Sequence, residues 1–155
     1  MQTIKDINDV FETIVERHSV LQSFYTISTK EIDIDKLEVN KYPLLYANCS
    51  SARIDKQTME FTYDVIVGDL VIEETQQDDL VEVYNETLHI LQDVVAQFEL
   101  SVSKVATAHS NPEWTFDLPV NCQPYTSRFD NLLTGWSTSF VIRVPHAVNL
   151  CDALY

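Results

Sequence analysis

The sequence predicts an α+β fold, an antiparallel or mixed β-sheet with two amphipathic helices packed on one face. Three patterns lead to it. In two separate stretches apolar residues recur at three- and four-residue steps, which lines them up as one buried stripe of a helix. In two others apolar and polar residues alternate, as in a strand with one face buried. With only 2 glycines among 155 residues and no low-complexity tract, the chain offers nothing from which to build a linker, so residues 1–155 read as a single domain.

The first helix is read from Ile7, Val10, Phe11, Ile14, Val15, His18 and Leu21, which share one stripe. Thr3 or Asp6 caps its start, where acidic side chains favour the positive end of the helix dipole. Residues 24–28 (Phe-Tyr-Thr-Ile-Ser) are aromatic and β-branched and read as a short strand. Residues 29–41 are polar and read as a loop with room for one edge strand, residues 42–47 as a strand with Pro43 near its beginning, and residues 50–57 as turn-like. Met59, Phe61, Tyr63, Val65 and Val67 then alternate with Glu60, Thr62, Asp64 and Ile66, which gives one apolar and one mostly wet face. Gly68-Asp69 is expected to bend this strand.

The acidic run at residues 73–79 opens the second helix, with Thr75 or Asp78 as its cap. Leu80, Tyr84, Leu88, Leu91, Val95 and Phe98 form its apolar face, widened by Val81, Ile90 and Val94, and it is expected to end near Leu100. Residues 103–113 read as a connection, and Trp114, Phe116, Leu118 and Val120 as a strand that Pro119 confines to an edge or an end. A long loop follows at residues 121–134. Gly135 introduces the last strand, in which Trp136, Thr138, Phe140, Ile142 and Val144 alternate with Ser137, Ser139, Val141 and Arg143 until Pro145 stops it.

A formal charge of -14, from 24 acidic and 10 basic residues, repels DNA and anionic membranes and lacks the basic stripe of a nucleic-acid reader. Weak binding to duplex DNA and no membrane association are therefore expected. The N-terminal residues Met1-Gln2-Thr3-Ile4-Lys5-Asp6 lack the apolar core of a signal peptide, and no stretch reaches the ~20 apolar residues of a membrane span, so a cytoplasmic product is expected.

Candidate chemistry is sparse. His18, His89, His109 and His146 lie in different elements, none at metal-ligand spacing from another ligand. Cys49, Cys122 and Cys151 show no redox or metal spacing and read as buried reduced thiols. Neither glycine belongs to a phosphate-cradling loop, which needs several glycines close together, and no serine sits in a nucleophile elbow. Asp33, Asp35 and the acidic run lack the glycine turn and closing glutamate of a calcium loop. No catalytic residue, cofactor or metal site is expected. The face carrying Ser137, Ser139, Val141 and Arg143, together with the loop that holds Arg128, is the candidate contact surface, since arginine is enriched at interfaces.

The run Phe-Asp-Asn-Leu-Leu-Thr-Gly-Trp-Ser-Thr-Ser-Phe-Val-Ile-Arg-Val-Pro at residues 129–145, followed by Cys151, resembles the C-terminal strand region of small virion proteins of tailed phages. The layout of the chain is similar to that of tail terminator (tail completion) proteins of tailed bacteriophages. That resemblance implies an N-terminal helix, strands, a long second helix and a terminal hairpin. It also implies a non-enzymatic homo-oligomeric ring, typically a hexamer, that caps the tail tube and meets the head connector while DNA passes through without specific binding. The product would reside in the virion, and in the host cytoplasm during assembly. Another neck or head-tail adaptor module, or a small non-phage ligand-binding domain or enzyme, is the alternative.

Overall fold

The computed structural model of the chain describes residues 3–26, 42–70, 77–108, 114–128 and 133–145. It is an α+β fold. In chain order the elements are α1 (Thr3–Arg17), β1 (Ser23–Tyr25), β2 (Leu44–Ile54), β3 (Thr58–Leu70), α2 (Gln77–Ala108), β4 (Thr115–Phe116), β5 (Gln123–Arg128) and β6 (Leu133–Pro145). The six strands form one mixed sheet in the order β1-β2-β3-β6-β4, with β5 also paired to β6. Among the described strands only the β1–β2 pair is parallel. Helix α1 lies against β1 and β2, and α2 against β3, β6 and β4.

Helix α1 buries Ile7, Val10, Phe11, Ile14 and Val15, the expected stripe. It ends before His18 and Leu21, which the periodicity had extended it to include. The His18 amide donates to the Ile14 carbonyl at 2.9 Å, closing the last turn. Its imidazole then organises the exit: Nδ1 accepts the amides of Val20 (3.1 Å) and Leu21 (3.2 Å), and Nε2 meets Asp93 Oδ2 of α2 at 3.1 Å. A nitrogen that accepts two N–H groups holds no proton, so the proton sits on Nε2 and is donated to Asp93. Leu21 is folded back into the core by this turn and is buried.

Strand β2 runs seven residues past the expected stop at Ala47, through residues 50–54 that read as turn-like. A register shift between Cys49 and Ser51 sets Ser50 in a bulge, and its hydroxyl donates to the Thr62 carbonyl at 3.1 Å. The turn closes with the Asp55 amide on the Thr58 carbonyl at 2.8 Å. β3 pairs with β6 along its whole length, from Thr58↔Pro145 to Leu70↔Leu133. Gly68 does not bend β3, and Gly135 does not start β6: the two glycines face each other inside this ladder, two pairs from its end. Residues 121–134, expected to be a loop, contain β5, which forms a hairpin with β6. β4 is confined to the sheet edge, as Pro119 requires. The expected strand residues 27–28 and the segment 29–41 lie outside the described residues.

Helix α2 spans 32 residues and continues past Leu100 to Ala108. Its buried stripe is Thr87, Ile90, Leu91, Val94, Phe98 and Val102, whereas Val81 and Leu88 are exposed. The expected face was therefore rotated. Thr87 concealed the true one, because a polar residue was not counted as core. Its hydroxyl is satisfied inside the helix by donating to the Val83 carbonyl at 2.6 Å. The proposed caps Thr75 and Asp78 fall where side chains are not described. Leu91→Ala is expected to cost about 2–5 kcal/mol and Leu88→Ala less than about 0.5 kcal/mol, measured as the shift of the urea midpoint. Equal costs would contradict this orientation of α2.

The helices bury the sheet face that carries Phe61, Tyr63, Val65, Val67, Phe140, Ile142 and Val144. Aromatic rings fill the layer between. Phe11 of α1 lies 4.6 Å from Phe98 of α2, 5.7 Å from Tyr63 and 5.8 Å from Phe140, centroid to centroid. Phe116 of β4 closes the cluster at 4.7 Å from Phe140 and 5.0 Å from Phe98. Trp136 packs on Tyr84 and donates its indole N–H to the Tyr84 carbonyl at 2.8 Å. The opposite sheet face is not uniformly wet. Ile66, expected there among polar residues, is buried in a second cluster with Tyr42, Leu44, Tyr46 and Leu133.

Candidate functional site

The outer sheet face is graded by its register. At one end is the second apolar cluster. The next row sets Asn48, Asp64 and Ser139 side by side on β2, β3 and β6. Beyond it come Ser51, Thr62 and Val141, then Arg53, Glu60 and Arg143. Strict alternation thus puts Ser137, Ser139, Val141 and Arg143 on one face, as the sequence indicated. Ser139 and Arg143 are exposed, and Ser137 and Val141 are half-buried.

Arg143 is held within its own chain. Its Nε donates to Glu60 Oε2 at 3.0 Å and its Nη1 to Asp117 Oδ1 at 2.8 Å. Glu60 is its cross-strand partner on β3, and Asp117 directly follows β4, so the arginine bridges three strands. The sequence placed Glu60 on the same side of its strand, but nothing local linked Arg143 to an acid 83 residues earlier. Asp117 was missed altogether.

Arg128 does not join this group. It ends β5, opposite Leu133 at the start of β6, whereas Arg143 stands near the other end of that strand. Ten residues of strand correspond to roughly 33 Å.

A cleft of about 720 Å³ lies over the middle of the face, floored by Asn48, Asp64, Ser137 and Ser139 and walled by Pro119 and Asn121. Thr138 Oγ1 donates to the Asn121 carbonyl at 2.7 Å and holds that wall against β6. The cleft's amides, hydroxyls and one carboxylate can hydrogen-bond a partner.

The thiol of Cys49 is pushed up from its ordinary range by burial; a backbone hydrogen bond at Ser51 acts the other way, and the charge of Asp64 adds to the rise. A protonated thiol is a poor nucleophile. Burial also pushes the Tyr63 hydroxyl up, and Cys49 adds to it. That hydroxyl donates to Asn8 Oδ1 at 3.1 Å and ties β3 to α1. Cys122 is half-buried beside the core, and His89 is exposed on α2. His109, His146 and Cys151 lie outside the described residues. Among the described residues no group of three His, Cys, Asp or Glu side chains is placed to hold a metal ion, and no helix is long and apolar enough to cross a membrane.

Comparison with models of known protein families finds no match, and comparison with curated protein sequences finds none either.

Proposed function

We propose that the chain is a structural subunit of a tailed-phage virion, a tail terminator that assembles into a ring, caps the tail tube and joins it to the head connector. The observation that carries this reading is the layout. A helix, three strands, a long second helix and a terminal β5–β6 hairpin follow one another in the order that the resemblance implies. The hairpin matters most, because the local pattern of residues 121–134 had suggested only a loop. A ring subunit needs surfaces for its neighbours rather than a reactive centre, and an acidic surface lets DNA pass without adhering. Sedimentation and native mass measurement of the purified chain test it. A closed oligomer of ring size is expected, and a strict monomer at all concentrations would overturn the reading.

The outer face of β6 contributes to association in this reading. Arg143→Glu is expected to leave the far-UV circular dichroism unchanged, because an exposed ion pair is worth only about 0.2–1 kcal/mol, and to weaken self-association in sedimentation. Glu60→Gln is the control, since it loosens Arg143 from inside the chain. If Glu60→Gln weakens association equally, Arg143 acts by bracing β3, β6 and β4 rather than by touching a neighbour.

A further inference from the structure

The exit from α1 hangs on one side chain. His18 uses both ring nitrogens: Nδ1 accepts the amides of Val20 at 3.1 Å and Leu21 at 3.2 Å, and Nε2 donates to Asp93 Oδ2 of α2 at 3.1 Å. The ring is nearly enclosed, with 9% of its surface exposed, whereas the Asp93 side chain is 62% exposed. The turn that the ring holds buries Leu21 and delivers the chain to β1, where the Gln22 amide donates to the Pro43 carbonyl at 2.9 Å. β1 is an edge strand of three residues. Pairing with Leu44, Leu45 and Tyr46 and the stacking of Phe24 on Phe11, 6.4 Å between centroids, also hold it.

A ring nitrogen accepts an N–H through its lone pair, and a proton on that nitrogen removes the lone pair. Protonated Nδ1 would bring three N–H groups to one point, so the turn and the imidazolium exclude each other. The charged groups that share the α1–α2 cleft with the ring are Asp6, Asp9 and Arg17 of α1 and Asp93 of α2. β1 and β2 also pack on α1, but their titratable or charged groups, Tyr25, Cys49 and Arg53, do not line this cleft. The three carboxylates favour an imidazolium and Arg17 opposes it. Asp93 is the acid in contact, and its exposure leaves that pull largely screened by water. Against it stands the Leu21 amide, partly buried, which would lose its acceptor.

We propose that His18 is an acid-released latch: proton uptake at Nδ1 frees the turn at residues 18–21, withdraws Leu21 from the core and loosens β1 from the sheet edge. The folded turn holds the neutral ring, whereas an imidazole in an unfolded chain takes up a proton below about pH 6.5. In acid the opened turn therefore binds more protons at this site than the closed one. The latch contributes fully above about pH 6.5 and fades as the pH falls below it. Release of β1 leaves residues 44–46 of β2 as an open edge, the kind of surface on which another strand can pair. The latch does not depend on the ring reading above.

Amide exchange of the full-length chain, read by NMR at about pH 7.5 and about pH 5.5, tests it, with His18→Asn as the comparison. The asparagine amide oxygen can accept the same two N–H groups but takes up no proton. At one pH unit below 6.5 the proton competes with the closed turn about tenfold. The protection factors of Leu21 and Phe24 are therefore expected to fall about tenfold in the native chain and to hold in His18→Asn. Over the same range the Nδ1 resonance of the native chain is expected to change from the lone-pair to the N–H type, a readout that needs no variant to fold. Protection that is unchanged in the native chain at the lower pH, whatever the state of the ring, overturns the latch. So does an equal loss of protection in His18→Asn.

Discussion

Replacing Gly135 with alanine is expected to destabilise the fold by about 3 kcal/mol or more, at the upper end of what overpacking costs. A Cβ on Gly135 would collide with the Val67 carbonyl oxygen and lie 3.0 Å from the Gly68 Cα. These are backbone atoms of the central β3–β6 ladder, and neither can swing aside without parting the two strands. Neither glycine adopts a positive φ, so space rather than conformational freedom demands glycine here. Gly68→Ala is the contrast. Its Cβ meets the Tyr125 hydroxyl at 2.5 Å and Leu133 Cδ1 at 2.9 Å, both on side chains. A cost of about 1–2 kcal/mol is expected, and Tyr125→Phe, which removes the hydroxyl, should relieve part of it. Urea denaturation of the three variants decides the matter. Gly135→Ala proving milder than Gly68→Ala would refute the close approach at this pair.

Phe98→Ala is expected to cost about 3–5 kcal/mol, and Phe11→Ala a similar amount, because both rings are fully buried where the two helices meet the sheet. Phe98 touches Phe11, Phe116 and Phe140, so its loss opens a cavity bordered by three elements besides its own. The two costs should not add. With stacked centroids 4.6 Å apart, a double-mutant cycle is expected to give a coupling of about 0.5–1.5 kcal/mol. Additive costs from equilibrium unfolding would mean that α1 and α2 do not meet through these rings.

The same residues show why part of the architecture was legible beforehand. Phe11 and Phe98 belong to stripes with a period of 3.6, and Tyr63 and Phe140 to alternations with a period of two. Such periods are written within one segment, and burial of one face makes them visible. The distal half of β2 and the whole of β5 carry no such mark. Residues 50–54 are exposed on both sides, and Gln123 and Pro124 are exposed as well, so these segments are strands only because β3 and β6 pair with them. Thr87 was overlooked for a related reason. Its hydroxyl is satisfied within its own helix, so a polar residue occupies a core position at little cost.

The candidate contact face divides in the same way. Alternation along β6 alone determined that Ser137, Ser139, Val141 and Arg143 share a side, the two helical stripes that helices would cover one face of the sheet, and the composition that the chain has few cations for contacts. Only the tertiary structure decided that Arg143 is bridged to Glu60 and Asp117, that Arg128 belongs to the far end of the strand, and that two glycines 67 residues apart must stand opposite each other. The first set depends on residues a few positions apart, whose geometry the backbone periods dictate. The second depends on which strands become neighbours and in which register, and that is settled by contacts across the sheet that no single segment contains.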